Sequence, residues 1–115
     1  MKIILVAGAR PNFMKVAPIW NQLVKNPDLF DPILVHTGQH YDDQMSQIFF
    51  RELNLPKPHY QLNVGSGSHA YQTAQIMIRF EEILLREKPD LVIVVGDVNS
   101  TLACAMDAAK LQIPV

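Results

Sequence analysis

The chain has 115 residues, 49% of them hydrophobic, with ten Lys and Arg against eleven Asp and Glu. That length suits one domain with a single core, and the near-balanced charge supplies none of the basic stripe that a nucleic-acid binder needs. No apolar run approaches the roughly 20 residues of a membrane span, and the single cysteine, Cys104, excludes an internal disulfide.

Met1-Lys2 leads into Ile3-Ile4-Leu5-Val6-Ala7, closed by Gly8. The run reads as a strand buried on both faces. It is too short for a signal peptide and no small-residue cleavage site follows, so a cytoplasmic domain is expected. From Pro11 to about Lys25, Met14, Ala17, Pro18, Leu23 and Val24 recur at helical spacing, and Asn26-Pro27 ends the helix. Pro18 predicts a kink or a loose first turn, because it cannot donate the helical hydrogen bond. Pro32 to Thr37 predicts a second strand, entering the turn Thr37-Gly38-Gln39-His40, and a second helix is expected from Asp42 to Leu53. Pro56 and Pro58 force a linker before a weak third strand, Tyr60 to Val64, and Gly65-Ser66-Gly67-Ser68. A long helix should run from Ala70 to Arg86, then a strand from Asp90 to Val95, then a small-residue helix to about Lys110. Ile113-Pro114-Val115 reads as the opening of a fifth strand.

This alternation implies an α/β fold, a Rossmann-like parallel sheet with helices on both faces, in the order 3-2-1-4-5. A chain stopping where a fifth strand should begin is expected to be truncated. Ligands of such sheets bind where the strand order reverses, here between the first and fourth strands. Gly8-Ala9-Arg10-Pro11-Asn12-Phe13-Met14-Lys15 and Gly96-Asp97-Val98-Asn99-Ser100-Thr101 should meet there.

Pro11 at the first helical position puts Arg10 at the cap and Lys15 just past the first turn. Cations there oppose the helix dipole by about 0.3–1 kcal/mol each. A bound anion would reverse that sign, collecting backbone N–H groups, the dipole and both side-chain charges. Otherwise Arg10 snorkels and Lys15 is simply solvated. Asp97, just past an apolar strand, is expected to face the crevice as an ionised acceptor, or else to cap a turn or helix. Arg10 and Phe13 stand where G-x-G-x-x-G needs glycine, strand two ends in His36-Thr37 without the ribose-binding acid, and no Walker A loop is present; NAD and ATP are disfavoured. Gly65 to His69 could wrap a phosphate or a sugar, but lies two strands from the first, about 10 Å away, and reads as a flexible connection. Gln39-His40 suits ligand contact and turn equally. Asp42-Asp43 reads as a helix-start charge pair, His36 and His59 as strand or loop residues without metal-ligand spacing, and Cys104 as helix packing.

Gly8 to Lys15, Thr37-Gly38-Gln39-His40 and Gly96 to Ala103 together resemble the non-hydrolysing UDP-N-acetylglucosamine 2-epimerases, in the same order and spacing along all 115 residues. The resemblance implies the N-terminal half of a GT-B-like two-domain enzyme, with the nucleotide-sugar in the cleft between two Rossmann-like halves. Such enzymes interconvert UDP-GlcNAc and UDP-ManNAc through UDP elimination to a glycal intermediate and re-addition, without a metal or redox cofactor. They are commonly homodimers. Arg10 and Lys15 then match basic residues at the substrate site, and Asp97 a carboxylate of the acid–base chemistry. Gln39, beside His40, falls where some bacterial members contact a regulatory UDP-GlcNAc. Asn12 replaces the Glu of many members, and Tyr41-Asp42-Asp43 departs from members with the regulatory site, which argues against regulation. The family continues past this point into a His-x-Glu-Ala-Gly segment and a uridine-binding half, so the 115 residues alone should be inactive. Alternatives are an epimerase of another UDP-2-acetamido sugar, a non-catalytic nucleotide-sugar-binding module and a GT-B glycosyltransferase.

Overall fold

The computed structural model describes residues 1–38 and 51–115, without the Arg10 side chain. Gln39, His40, Asp42, Asp43 and most of the expected second helix lie outside the described residues. The elements run β1 (Lys2–Ala7), α1 (Arg10–Val24), β2 (Asp31–His36), β3 (Tyr60–Gln61), α2 (His69–Glu87), β4 (Leu91–Val94) and α3 (Asn99–Lys110). The four strands form one parallel sheet in the order β3-β2-β1-β4, with Ile4 in register with Ile33 and Val92. This matches the expected order over its four strands. At Ile113 to Val115 no strand is assigned, although the Val92 N–H donates to the Pro114 carbonyl at 2.9 Å, on the edge of β4 away from β1.

Successive residues of β1 point to opposite faces. Ile4 and Val6 join Phe80, Ile83, Leu84, Ala103, Cys104 and Ala108 in a core under α2 and α3. Ile3, Leu5 and Ala7 join Phe13, Val16, Ala17 and Trp20 under α1. Helices therefore cover both faces, which is why β1 reads as a continuous apolar run. Small buried residues, Ala103, Cys104 and Ala108, let α3 lie close to the sheet, and burial pushes the Cys104 thiol well above its usual range, so it packs as a neutral group. His59 is structural too: its Nδ1 accepts the Leu34 N–H at 3.1 Å at the edge of β2.

Three local expectations need correction. The N-cap of α1 is Ala9, so Arg10 is the first helical residue rather than the cap. The helix also passes Pro18 without interruption, the ring lying on its exposed side. The third strand ends at Gln61, because Asn63 takes a left-handed φ of 54°; Leu62 and Val64 still donate to the carbonyls of His36 and Thr37.

At the far end of the sheet Lys2 Nζ pairs with Glu87 at 3.2 Å, and the Tyr60 hydroxyl donates to the same carboxylate at 2.7 Å. The tyrosine bond first, then the lysine, holds Glu87 below its usual range against the cost of burial. This clasp ties β1, β3 and α2 together and leaves the carboxyl ends of the strands free for a ligand.

Candidate functional site

The loops leaving β1, β2 and β4 converge on a cleft of about 460 Å³, bounded by Gly8, Ala9, Thr37, Asp97, Asn99 and Ser100 among others. Its floor is polar. Thr37 Oγ1 and Ser100 Oγ lie 2.6 Å apart in a buried hydroxyl pair. Gly8 passes directly over them, and a Cβ there would collide with the Ser100 side chain and come within 3.0 Å of Thr37 Oγ1. Glycine is required at this point for close approach, not for an unusual φ.

Asn12, 5% exposed, holds the first loop in shape. Its Oδ1 accepts the N–H groups of both Gly8 and Ala9 at 3.0 Å. Its amide nitrogen fills the space beside Gly96, where a Cβ would come within 2.8 Å of Nδ2. Gly96 also has a φ of 81°, which strongly favours glycine. One buried amide thus braces the β1–α1 loop against the β4–α3 loop.

This bracing changes the expected anion site. Asn12 takes the N–H groups of Gly8 and Ala9, Pro11 has none, and the Asn12 N–H closes onto the Ala9 carbonyl. At α1, an anion would be met by the helix dipole rather than by a ring of loop N–H groups. The start of α3 is more open. Its N-cap, Val98, offers no capping side chain, and the N–H groups of Asn99 and Ser100 have no partner among the described residues.

Asp97 is exposed, lines the cleft with Gly8 and Ala9, and has no hydrogen bond or ion pair among the described residues. The capping role is therefore excluded for it. Thr101 Oγ1 donates to the Val95 carbonyl at 2.9 Å and Ser100 is committed to Thr37, so neither caps α3. Arg10 begins α1 at this edge. Lys15 is exposed further along α1 and is not among the residues bounding the cleft.

The segment before α2 departs from expectation. Ser68 caps α2 through the Tyr71 N–H at 3.1 Å, and Gln72 Nε2 donates to the Gly65 carbonyl at 3.2 Å, so the Gly-Ser run is tied down. His69 and Gln72 line the same cleft as Asp97. The spacing of strands misled here, because the crossover from β3 to β4 carries α2 over β2 and β1, against α3. No group of three His, Cys, Asp or Glu side chains among the described residues could hold a metal.

The family model for UDP-N-acetylglucosamine 2-epimerase matches residues 22–115. The chain belongs to that family. A UDP-N-acetylglucosamine 2-epimerase homolog from Methanococcus maripaludis is 52% identical over the whole chain, which spans 31% of that relative. The UDP-2,3-diacetamido-2,3-dideoxy-D-glucuronate 2-epimerase of Pseudomonas aeruginosa is 45% identical, again over the whole chain and 32% of the relative. The crystal structure of the Methanocaldococcus jannaschii UDP-GlcNAc 2-epimerase, in complex with UDP-GlcNAc and UDP, superposes with a TM-score of 0.89 at 49% identity, over 98% of this chain and 31% of that one. The sheet described above is thus the Rossmann-like N-terminal portion of a GT-B-like 2-epimerase fold.

Within this epimerase portion, the Thr37–Ser100 hydroxyl pair, the joining of His69 and Gln72 to Asn99 and the bracing role of Asn12 were not read from the sequence, although it offers Gly65 to His69 as a phosphate or sugar loop. Asn12 alone left a signal, as a polar residue three positions past a helix cap where a reciprocal bond to the cap N–H is common. The others are joined by bonds between residues 27 to 63 positions apart, which no local pattern shows.

Proposed function

We propose that the chain is the N-terminal part of a cytoplasmic UDP-N-acetylglucosamine 2-epimerase that eliminates UDP to a glycal and adds it back with C2 inverted. The observation that carries this reading is the Asp97 carboxylate, without a partner among the described residues, in one cleft with the starts of α1 and α3. In the elimination, a base removes the C2 proton while the C1–O bond to UDP breaks. Negative charge then grows on the departing diphosphate, where the dipoles of two helix starts and the Arg10 guanidinium would stabilise it. Lys15 would add charge from farther along α1. Asp97 would serve proton transfer, and Gln39 and His40 would contact the nucleotide-sugar. No redox cofactor is needed, since UDP is lost and regained without a net change of oxidation state.

The remaining catalytic acids and the uridine-binding half would come from a further domain. The 115-residue chain alone should therefore not epimerise. Incubating UDP-GlcNAc with the full-length protein and following UDP-ManNAc by NMR tests the reading; no epimer from the full-length protein, or turnover by the 115-residue chain alone, contradicts it. A second UDP-2-acetamido sugar is kept open by the 45% identity to the Pseudomonas aeruginosa diacetamido-glucuronate epimerase, and the same assay with that sugar decides between them. We also infer a homodimer of the full-length protein, supported by the exposed Tyr71, Ile78 and Leu85 along α2. Light scattering checks it.

A further inference from the structure

We propose that Asn99 and His69 form a hydroxyl-reading pair for the sugar of the bound nucleotide, with hydrogen-bond polarity fixed from the Gly65 carbonyl. This rests on the functional reading above and deepens it, assigning a sugar contact to this part of the protein. The chain of bonds has one consistent direction. The Gly65 carbonyl can only accept, so Gln72 turns its NH₂ toward it, at 3.2 Å, and its Oε1 toward Asn99. Oε1 can only accept, so Asn99 presents its own NH₂ there, at 2.9 Å. The second hydrogen of that NH₂ goes to His69 Nδ1 at 3.1 Å, which must therefore be unprotonated, leaving the ring proton on Nε2.

Two groups remain uncommitted among the described residues: the Asn99 Oδ1, an acceptor, and the His69 Nε2–H, a donor. Both residues line the cleft beside Asp97. A sugar hydroxyl both donates and accepts, and it matches this pair; a diphosphate oxygen only accepts and would meet the wrong end of Asn99. Gln72 is a positioning residue, holding the Asn99 amide against a flip that would turn a donor into the cleft.

The test is calorimetric binding of UDP and UDP-GlcNAc to the full-length protein and to its Asn99→Ala and His69→Ala variants. Loss of one such contact is expected to weaken UDP-GlcNAc by roughly tenfold while UDP stays within about twofold. The His69→Ala variant, at an exposed position, carries the same expectation should Asn99→Ala not fold. Equal weakening of UDP and UDP-GlcNAc, or no weakening of either, overturns this inference alone. A wild-type protein that binds neither ligand overturns the functional reading as well.

Discussion

Thr37 Oγ1 and Ser100 Oγ share a 2.6 Å hydrogen bond buried beneath Gly8, joining the end of β2 to the first turn of α3 across the end of β1. A hydroxyl buried without a partner costs about 1–3 kcal/mol, whereas removing both members of a pair costs less. Thr37→Val and Ser100→Ala should each destabilise the protein by about that amount, and the double variant by clearly less than their sum. Gly8→Ala should cost about 1–3 kcal/mol through overpacking on the same pair. Urea unfolding of the four variants checks this; strictly additive losses at Thr37 and Ser100 would show that the hydroxyls do not depend on each other.

Asn12 holds two backbone N–H groups with one oxygen, so its effect should follow that acceptor rather than its amide as a whole. Asn12→Ala should cost about 1–3 kcal/mol, since both N–H groups lose their partner. Asn12→Asp keeps the oxygen and adds favourable charge at a helix start, so it should retain most of the stability. Equal losses in thermal melts of the two variants would mean that the amide NH₂ beside Gly96, not the acceptor oxygen, is what matters.

Asp97 has no partner among the described residues, and so its removal should separate activity from stability. Asp97→Asn in the full-length protein should leave unfolding within about 0.5 kcal/mol of wild type. Epimerisation should fall by at least about 100-fold, the scale of a lost proton-transfer group. An active Asp97→Asn enzyme would remove this residue from the chemistry.

Asp107 lies on α3 away from the cleft, 5% exposed, and its Oδ2 has no hydrogen bond among the described residues. Burial, then the nearby Glu81, pushes its carboxyl up from the ordinary 3.8 to about 7. The folded state thus holds this proton more tightly than the unfolded chain does, so the group favours folding at low pH. Its contribution falls as pH rises from about 4 through about 7, where the folded protein must carry a buried charge or release structure. Asp107→Asn should stabilise the protein at pH 8, by roughly 4 kcal/mol for a shift of that size, and have little effect at pH 4. Melting temperatures at the two pH values test it; a gain as large at pH 4 as at pH 8 would place the effect outside this titration.

Local pattern carried the order of strands and helices, because a strand buried on both faces must be apolar throughout, as Ile3 to Ala7 is, and a helix shows apolar residues at helical spacing, as Ala17 and Leu23 do. The meeting of Gly8 and Asp97 was also legible, since a parallel sheet of this order brings the ends of β1 and β4 side by side. Asn63 shows the limit of such reading: a single left-handed residue shortened β3, and nothing in its neighbours announced it.

For the four strands and three helices of the described residues, the sequence by itself determined the element types, the parallel topology and the loops at the switch point, all of which follow from periodicity and crossover rules. Only the tertiary structure decided that α2 crosses the sheet to bring His69 and Gln72 against Asn99, and that Asn12 uses up the N–H groups an anion might have taken. Those features depend on the direction of individual hydrogen bonds between distant residues, and hydrogen-bond geometry exists only once the helices are packed.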